Sequence, residues 1–474
     1  MVEQPDLPVV EYEALLLGTT TTTSPTSPSS KVRRGDGISE WEAGASLAKA
    51  IMGAGSFALP WAFLQMGYLA GPVVLTVLML LSVNSLQVLV TCARGMASSG
   101  TTTTTTTTSY VDVARSVFGT VGARLAYTAS VSASLGVCGS YLVFIAANLQ
   151  SLLVVNQVST ASSKDGGEVL EEPALSQTSF ILLVLPLPIL LSSVRDMKRF
   201  AFSSLLGDVS VVLGMVVVLI YGAWNHDSGV DTTTPDKKLV AIGSLKTMPL
   251  AFGTIGYLFL VHFLSLPIES AMQRPERFHK VSMITFSTCA VLSGGFGIMG
   301  YMLFGQDTQQ IVLLNVQGSY FVSAVKLLLC VDLLLTYPVV MRPSIVIVEQ
   351  SLLREDSSIS KRISNVGWTT HMIVCVVLGL VAAAGGIFVS AFGLLSGLVG
   401  GVSQTFLAFV LPPLMVIQQR HVARMGREDG VTANTIATFW GQKELGLVGL
   451  GLVLIVWTLA STWNELYGTN AGTD

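Results

Sequence analysis

Lys49-Ala50-Ile51-Met52-Gly53-Ala54-Gly55-Ser56-Phe57-Ala58-Leu59-Pro60-Trp61-Ala62-Phe63 is an apolar run broken by two glycines, with an ammonium at its start. The stretch around it, residues 42–66, exceeds the roughly 20 apolar residues that an α-helix needs to cross the hydrocarbon core. Gly-x-Gly in such a run permits close helix packing. It also lets a helix unwind, so that backbone N–H and C=O groups face a solute instead of each other. Pro60, within two turns, favours the unwound reading.

Ten further apolar runs follow, near residues 70–93, 122–152, 177–194, 200–223, 246–270, 281–304, 320–349, 370–388, 391–418 and 445–464. The runs at 370–388 and 391–418 form one Gly-rich block that only length divides into two. Composition agrees: 51% of the 474 residues are hydrophobic and 12% charged, against about a quarter charged in soluble domains. The expected fold is therefore an all-α integral membrane protein of eleven spans in one transmembrane domain, 39–468, within the lipid bilayer. The tails are 1–38 and 469–474.

Charge placement orients the spans. With the N-terminus in the cytosol, nineteen of the 26 Lys and Arg fall in cytosolic segments, in clusters such as Arg195/Lys198/Arg199 and Arg420/Arg424/Arg427. Only Lys164, Lys237, Lys238 and Lys246 fall opposite, and Lys49, Lys326 and Arg342 lie at membrane depth. The asymmetry obeys the positive-inside rule. No basic stripe offers itself to nucleic acid. The five cysteines sit in apolar stretches without Cys-x-x-Cys spacing and read as small buried hydrophobes. No metal cluster, nucleophile triad or phosphate loop points to an enzyme, and no cofactor is implied.

The first 38 residues read as a disordered cytosolic tail, and Thr101–Thr108 as a polar spacer. Within the tail, Glu11-Tyr12-Glu13-Ala14-Leu15-Leu16 resembles an acidic dileucine signal. Glu11, Leu15 and Leu16 would then meet a sorting adaptor for a vacuolar, lysosomal or other endomembrane address; a chance match leaves the plasma membrane open.

Several stretches, in order, resemble the amino acid/auxin permease family, a branch of the amino acid–polyamine–organocation superfamily. They are Lys49–Phe63 with Gly67, Gly136–Leu149, Phe252-Gly253-Thr254 with Leu266–Met272, Gly300–Gly305, Thr336–Val340 and Phe409–Pro413. The resemblance covers about residues 39–465. It implies a 5+5 inverted repeat, 42–223 and 246–418, with broken helices one and six at the midplane and an extra helix at 445–464. It also implies secondary transport of small or neutral amino acids.

On this resemblance Met52, Gly53, Ala54, Gly55 and Ser56 bind substrate mainly through backbone, joined by Ser140 and Tyr141 of span three and by Phe259 and His262 of span six. Related members often carry glycines on either side of the His. Here Phe259-Leu260-Val261-His262-Phe263 has bulky residues instead, which would narrow the pocket or shift the break towards Gly253 and Gly256.

His262 is the candidate proton-handling group, against an inert His bonded to a carbonyl. Sodium-coupled members place an Asn where Lys49 stands, with a hydroxyl in span eight, here Thr336. An ammonium at that position disfavours sodium and points to proton coupling or to a tethered cation, against a lysine that snorkels to water. Asp208 is a candidate counter-charge for Lys49. Glu269 reads as an anchor or gate paired with Arg or Lys, as does Arg342. A sodium symporter and an amino-acid sensor are the alternative functions.

Overall fold

The computed structural model describes residues 37–98, 109–161, 175–194, 201–227, 239–316, 320–355, 367–425 and 434–467. The N-terminal tail with Glu11, Leu15 and Leu16, and the Thr run, lie outside them.

The first span is broken where the glycines stand. Helix α1 (Glu40–Ile51) starts on a reciprocal cap: the Ser39 N–H donates to the Glu42 carboxylate (2.7 Å) and the Glu42 N–H to Ser39 Oγ (3.3 Å). It stops at Met52, and Gly53 is extended (φ −142°, ψ −152°). A 3-10 turn, Ala54–Ala58, leads into α2 (Leu59–Met66), at an angle of 44° to α1. Pro60 falls in the first turn of α2, where its missing N–H costs nothing. Gly67 ends α2 at φ +95°, and a Cβ there would lie 2.4 Å from the Ala241 carbonyl oxygen. Only glycine suits both demands.

The chain continues through α3 (Ala70–Ser98), α4 (Tyr110–Ala161, kinked at Gly119), α5 (Gln177–Val184), α6 (Pro186–Ser192) and α7 (Ala201–Asp227). The second half comprises α8 (Met248–Leu258), α9 (His262–Ala271), α10 (Phe278–Phe304), α11 (Tyr320–Glu355) and α12 (Gly367–Phe388). It ends with α13 (Phe392–Val399), a π-helical stretch Gly400–Val410, α14 (Leu411–Met425) and α15 (Asn434–Tyr467).

Among the described residues, eight helical segments are long and apolar enough to cross a membrane, and the bent first pair makes a ninth. Gln177–Ser192 and Val209–Trp224 are shorter apolar helices where spans four and five were expected. The Gly-rich block does divide, at Val389–Ala391. Large apolar side chains such as Val73, Leu183, Ile220, Val291 and Trp463 point outwards. That surface suits lipid, where backbone polar groups must be satisfied inside the helices.

The second break lies beside His262 and is not shifted towards Gly253 and Gly256. Gly253 and Gly256 remain helical. The chain unwinds at Phe259–Val261, where the Val261 N–H closes on the Phe259 carbonyl (2.8 Å). Gly253 serves packing instead: a Cβ there would stand 1.9 Å from the Gly397 oxygen, and one on Gly400 1.9 Å from the Gly253 oxygen. Helix α8 thus runs backbone to backbone against α13 and the π-helical stretch.

Candidate functional site

The break in span one presents two kinds of unused backbone group. The C-terminal carbonyls of α1 and the first N–H groups of the following turn have no partner within their own helices. The first bond of that turn runs from the Ser56 N–H to the Gly53 carbonyl (3.0 Å). Opposite helix ends therefore meet at Met52–Gly53, carrying opposite partial charges. Met52 and Gly53 are half-buried, whereas Ala54, Gly55 and Ser56 are buried. A Cβ built on Gly53 meets nothing within 4 Å, so open space lies beside the break.

Aromatic and hydroxyl groups surround it. The Tyr257 ring of α8 packs on Gly55, where a Cβ would lie 2.8 Å from it. Phe57 meets Phe144 and Phe296 (5.9 Å each), and Phe144 meets Phe392 at 5.5 Å. Ser56 Oγ and Tyr257 Oη are buried with no hydrogen-bond partner among the described residues. Buried hydroxyls normally find one, and two orphans at an unwound helix suit a polar solute.

Of the expected site residues, Ser140 and Tyr141 are buried in α4, and Ser140 Oγ donates to the Gly136 carbonyl of its own helix. Phe259 forms the second break, but its ring stacks on Phe286 (5.7 Å, 11°), which commits it to packing. His262 opens α9 fully buried, its Nε2 3.3 Å from the Ser82 carbonyl oxygen. Lys49 occupies the last turn of α1, half-buried, where a cation is favoured by the helix dipole.

Thr336 Oγ1 faces Asp332 Oδ1 at 3.4 Å. That carboxylate, 5% exposed, presses against Gly207 of α7, so spans five and eight meet there. The side chain of Asp208 lies outside the described residues. Lys326 pairs with no carboxylate among the described residues; its Nζ donates to Ser151 Oγ (3.1 Å).

The ends of spans one and six that lie towards the basic clusters are laced together. The Ile38 N–H donates to the Ala271 carbonyl and the Gln273 N–H to the Ile38 carbonyl, each at 2.9 Å. Arg277 pairs with Glu40 (2.8 Å), and Arg94 of α3 pairs with Glu269 (2.8 Å) while donating to the Pro275 carbonyl. Glu269 has the basic partner expected of it. Arg342 Nε and Nη1 are buried without a partner among the described residues.

Sequence reasoning missed Tyr257, Ser82 and Gln404. Gln404 carried a signal, being a polar amide inside an apolar run. Tyr257 carried none, because aromatic side chains are ordinary in such spans.

Comparison with known proteins gives the family. The profile of the family described as "Transmembrane amino acid transporter protein" matches residues 36–462. The chain belongs to this family. Its members are membrane transporters, not enzymes, and the broken first span lies inside the matched region. The chain is similar to "Amino acid transporter ANT1" of Arabidopsis thaliana, 26% identical over 93% of this chain and 95% of that protein. It is also similar to "Amino acid transporter AVT3C" (28%, over 90% of each) and "Amino acid transporter AVT3B" (27%, over 90% of this chain and 93% of the relative), both from the same plant. The chain is thus an amino acid transporter of this family.

Proposed function

We propose that the chain is a secondary transporter of small or neutral amino acids, driven by protons or by the substrate gradient, with alternating access around the break in span one. The observation that carries this reading is the meeting of opposite helix ends at Met52–Gly53 beside buried orphan hydroxyls. An amino acid is bipolar and so are the helix ends: its carboxylate suits the N–H groups of Gly53, Ala54 and Gly55, and its ammonium suits the carbonyls ending α1. Ser56 and Tyr257 supply further polar contacts. Phe57, Phe144 and Phe392 bound the space and favour a compact side chain.

Sodium is disfavoured, because Lys49 brings an ammonium to the end of α1 where a coordinating oxygen would otherwise serve. Opening towards the cytosol requires the lacing of Arg94, Glu269, Glu40 and Arg277 to part. The two repeats, 42–223 and 246–418, are the bodies that rock about the site. The acidic dileucine stretch of the tail supports an endomembrane address.

Uptake into proteoliposomes tests this reading, with tritiated alanine, serine and leucine as probes. Uptake raised by an imposed pH difference and indifferent to sodium is expected. Strict sodium dependence overturns the reading of Lys49, and binding without flux overturns transport in favour of a sensor.

A further inference from the structure

His262, Ser82 and Gln404 form a buried polar trio drawn from three spans. Their exposures are 0%, 1% and 1%. A backbone carbonyl can only accept, so the contact of His262 Nε2 with the Ser82 oxygen (3.3 Å) requires the proton on Nε2. Nδ1 is then left as a bare acceptor, buried and without a partner among the described residues. Gln404 Nε2 donates to Ser82 Oγ (3.2 Å), which leaves Gln404 Oε1 equally buried and unpartnered. Two orphan acceptors on neighbouring spans lack a proton between them.

The π-helical stretch Gly400–Val410 holds Gln404 in place, and such wide turns recur at functional sites. Side chains from elsewhere pin its carbonyls: Ser85 Oγ donates to Ala408, and Tyr110 Oη to Leu407 (2.8 Å).

We infer that Gln404 is a positioning residue for proton coupling, holding its amide oxygen ready for a proton that His262 accepts at Nδ1. This rests on the proton-coupled reading proposed above. Protonation makes Nδ1–H a donor to Gln404 Oε1, while Nε2–H stays on Ser82. When the proton leaves Nδ1, a half-turn of the amide offers N–H to the bare nitrogen, and the Ser82 hydroxyl reverses from acceptor to donor. Both charge states are therefore hydrogen-bonded, which a buried group requires if it is to visit each of them.

The elements packed against α9 carry the ionisable groups Glu40, Glu42 and Lys49 (α1), Cys92 and Arg94 (α3), Tyr110, Asp112, Arg115, Arg124, Tyr127, Cys138 and Tyr141 (α4), and Glu276 and Arg277 (the turn Pro275–Arg277), with Glu269 on α9 itself. The polar groups placed beside the imidazole are the Ser82 carbonyl and, through Ser82 Oγ, the Gln404 amide.

The test is the nitrogen-15 spectrum of histidine-labelled full-length protein in proteoliposomes, titrated with pH; His262→Gln assigns the signal among five histidines. The neutral form is expected to be the Nε2–H tautomer, and Gln404→Met is expected to move the titration midpoint at least one pH unit towards acid. Gln404→Glu, whose carboxylate favours the imidazolium, moves it towards alkali. The pH profile of proton-driven uptake of the probe amino acids shifts in the same sense. An Nδ1–H tautomer, or midpoints unmoved by both substitutions, overturns the inference whether or not the wild type transports. Uptake without pH dependence in the wild type overturns the proton-coupled reading instead.

Discussion

Arg94→Ala tests the lacing of the second span (α3) to the end of span six most directly. Arg94 Nη2 lies 2.8 Å from Glu269 Oε1, its Nε donates to the same oxygen at 2.9 Å, and Nη2 also reaches the Pro275 carbonyl. The guanidinium is about half exposed (47%) while the carboxylate is 11% exposed, so the full strength of a charge-assisted bond does not apply. A half-exposed ion pair contributes about 1 kcal/mol after screening, and the bond to Pro275 about 0.5–1 kcal/mol more. Losing about 1.5–2 kcal/mol from the laced state raises the population of the unlaced one roughly 10- to 30-fold.

Ser265 is fully buried in α9, two turns inward of Met272, and reports on that opening once converted to cysteine. In a background with the five native cysteines replaced, the labelling rate of Ser265→Cys by a water-soluble maleimide should rise about tenfold on Arg94→Ala. The lacing mutant Glu40→Ala should act in the same direction but less, since both members of its pair with Arg277 are more exposed. A labelling rate unchanged by Arg94→Ala would refute the idea that these contacts hold the path shut.

Tyr257→Phe removes a buried hydroxyl that has no partner among the described residues, so thermal stability should hold or rise while KM for the probe amino acids rises several-fold; an unchanged KM would take Tyr257 out of the site. Gly55→Ala drives a methyl to within 2.8 Å of the Tyr257 ring and should abolish uptake with the protein still monodisperse on gel filtration. Gly253→Ala forces apart backbones that stand at 1.9 Å from the new Cβ, an overpacking cost of at least about 1–3 kcal/mol; a melting temperature equal to wild type would contradict the close crossing of α8 and α13. Lys49→Asn should reduce proton-driven uptake, and full retention would leave Lys49 a surface-seeking anchor.

The break in span one was legible because it is local: two glycines within three residues weaken the helix wherever it is packed. The Ser39/Glu42 cap was likewise spelled out by spacing, although it had not been singled out. Span six shows the opposite case. Its glycines suggested a break at Gly253 or Gly256, yet they were needed for backbone contact with Gly397 and Gly400, and helix α8 runs on to Leu258. The unwinding falls among Phe259, Leu260 and Val261, residues with no local tendency to break a membrane helix. Phe259 is held there by stacking on Phe286 of another span, which no reading of one segment reveals.

The sequence by itself determined the membrane class, the run of apolar spans, the broken first span and the family, because hydropathy, span length and glycine content act over neighbouring residues. It also marked Glu269 for a basic partner, and Arg94 is that partner. Tertiary structure alone decided which polar groups meet: Asp332 against Gly207, Tyr257 on Gly55, and Ser82 and Gln404 around His262. Ser82 and Gln404 are 322 residues apart. Their meeting depends on how spans two, six and ten cross, and inter-helix packing in a bilayer is set by surface shape and small-residue contacts that no single span encodes.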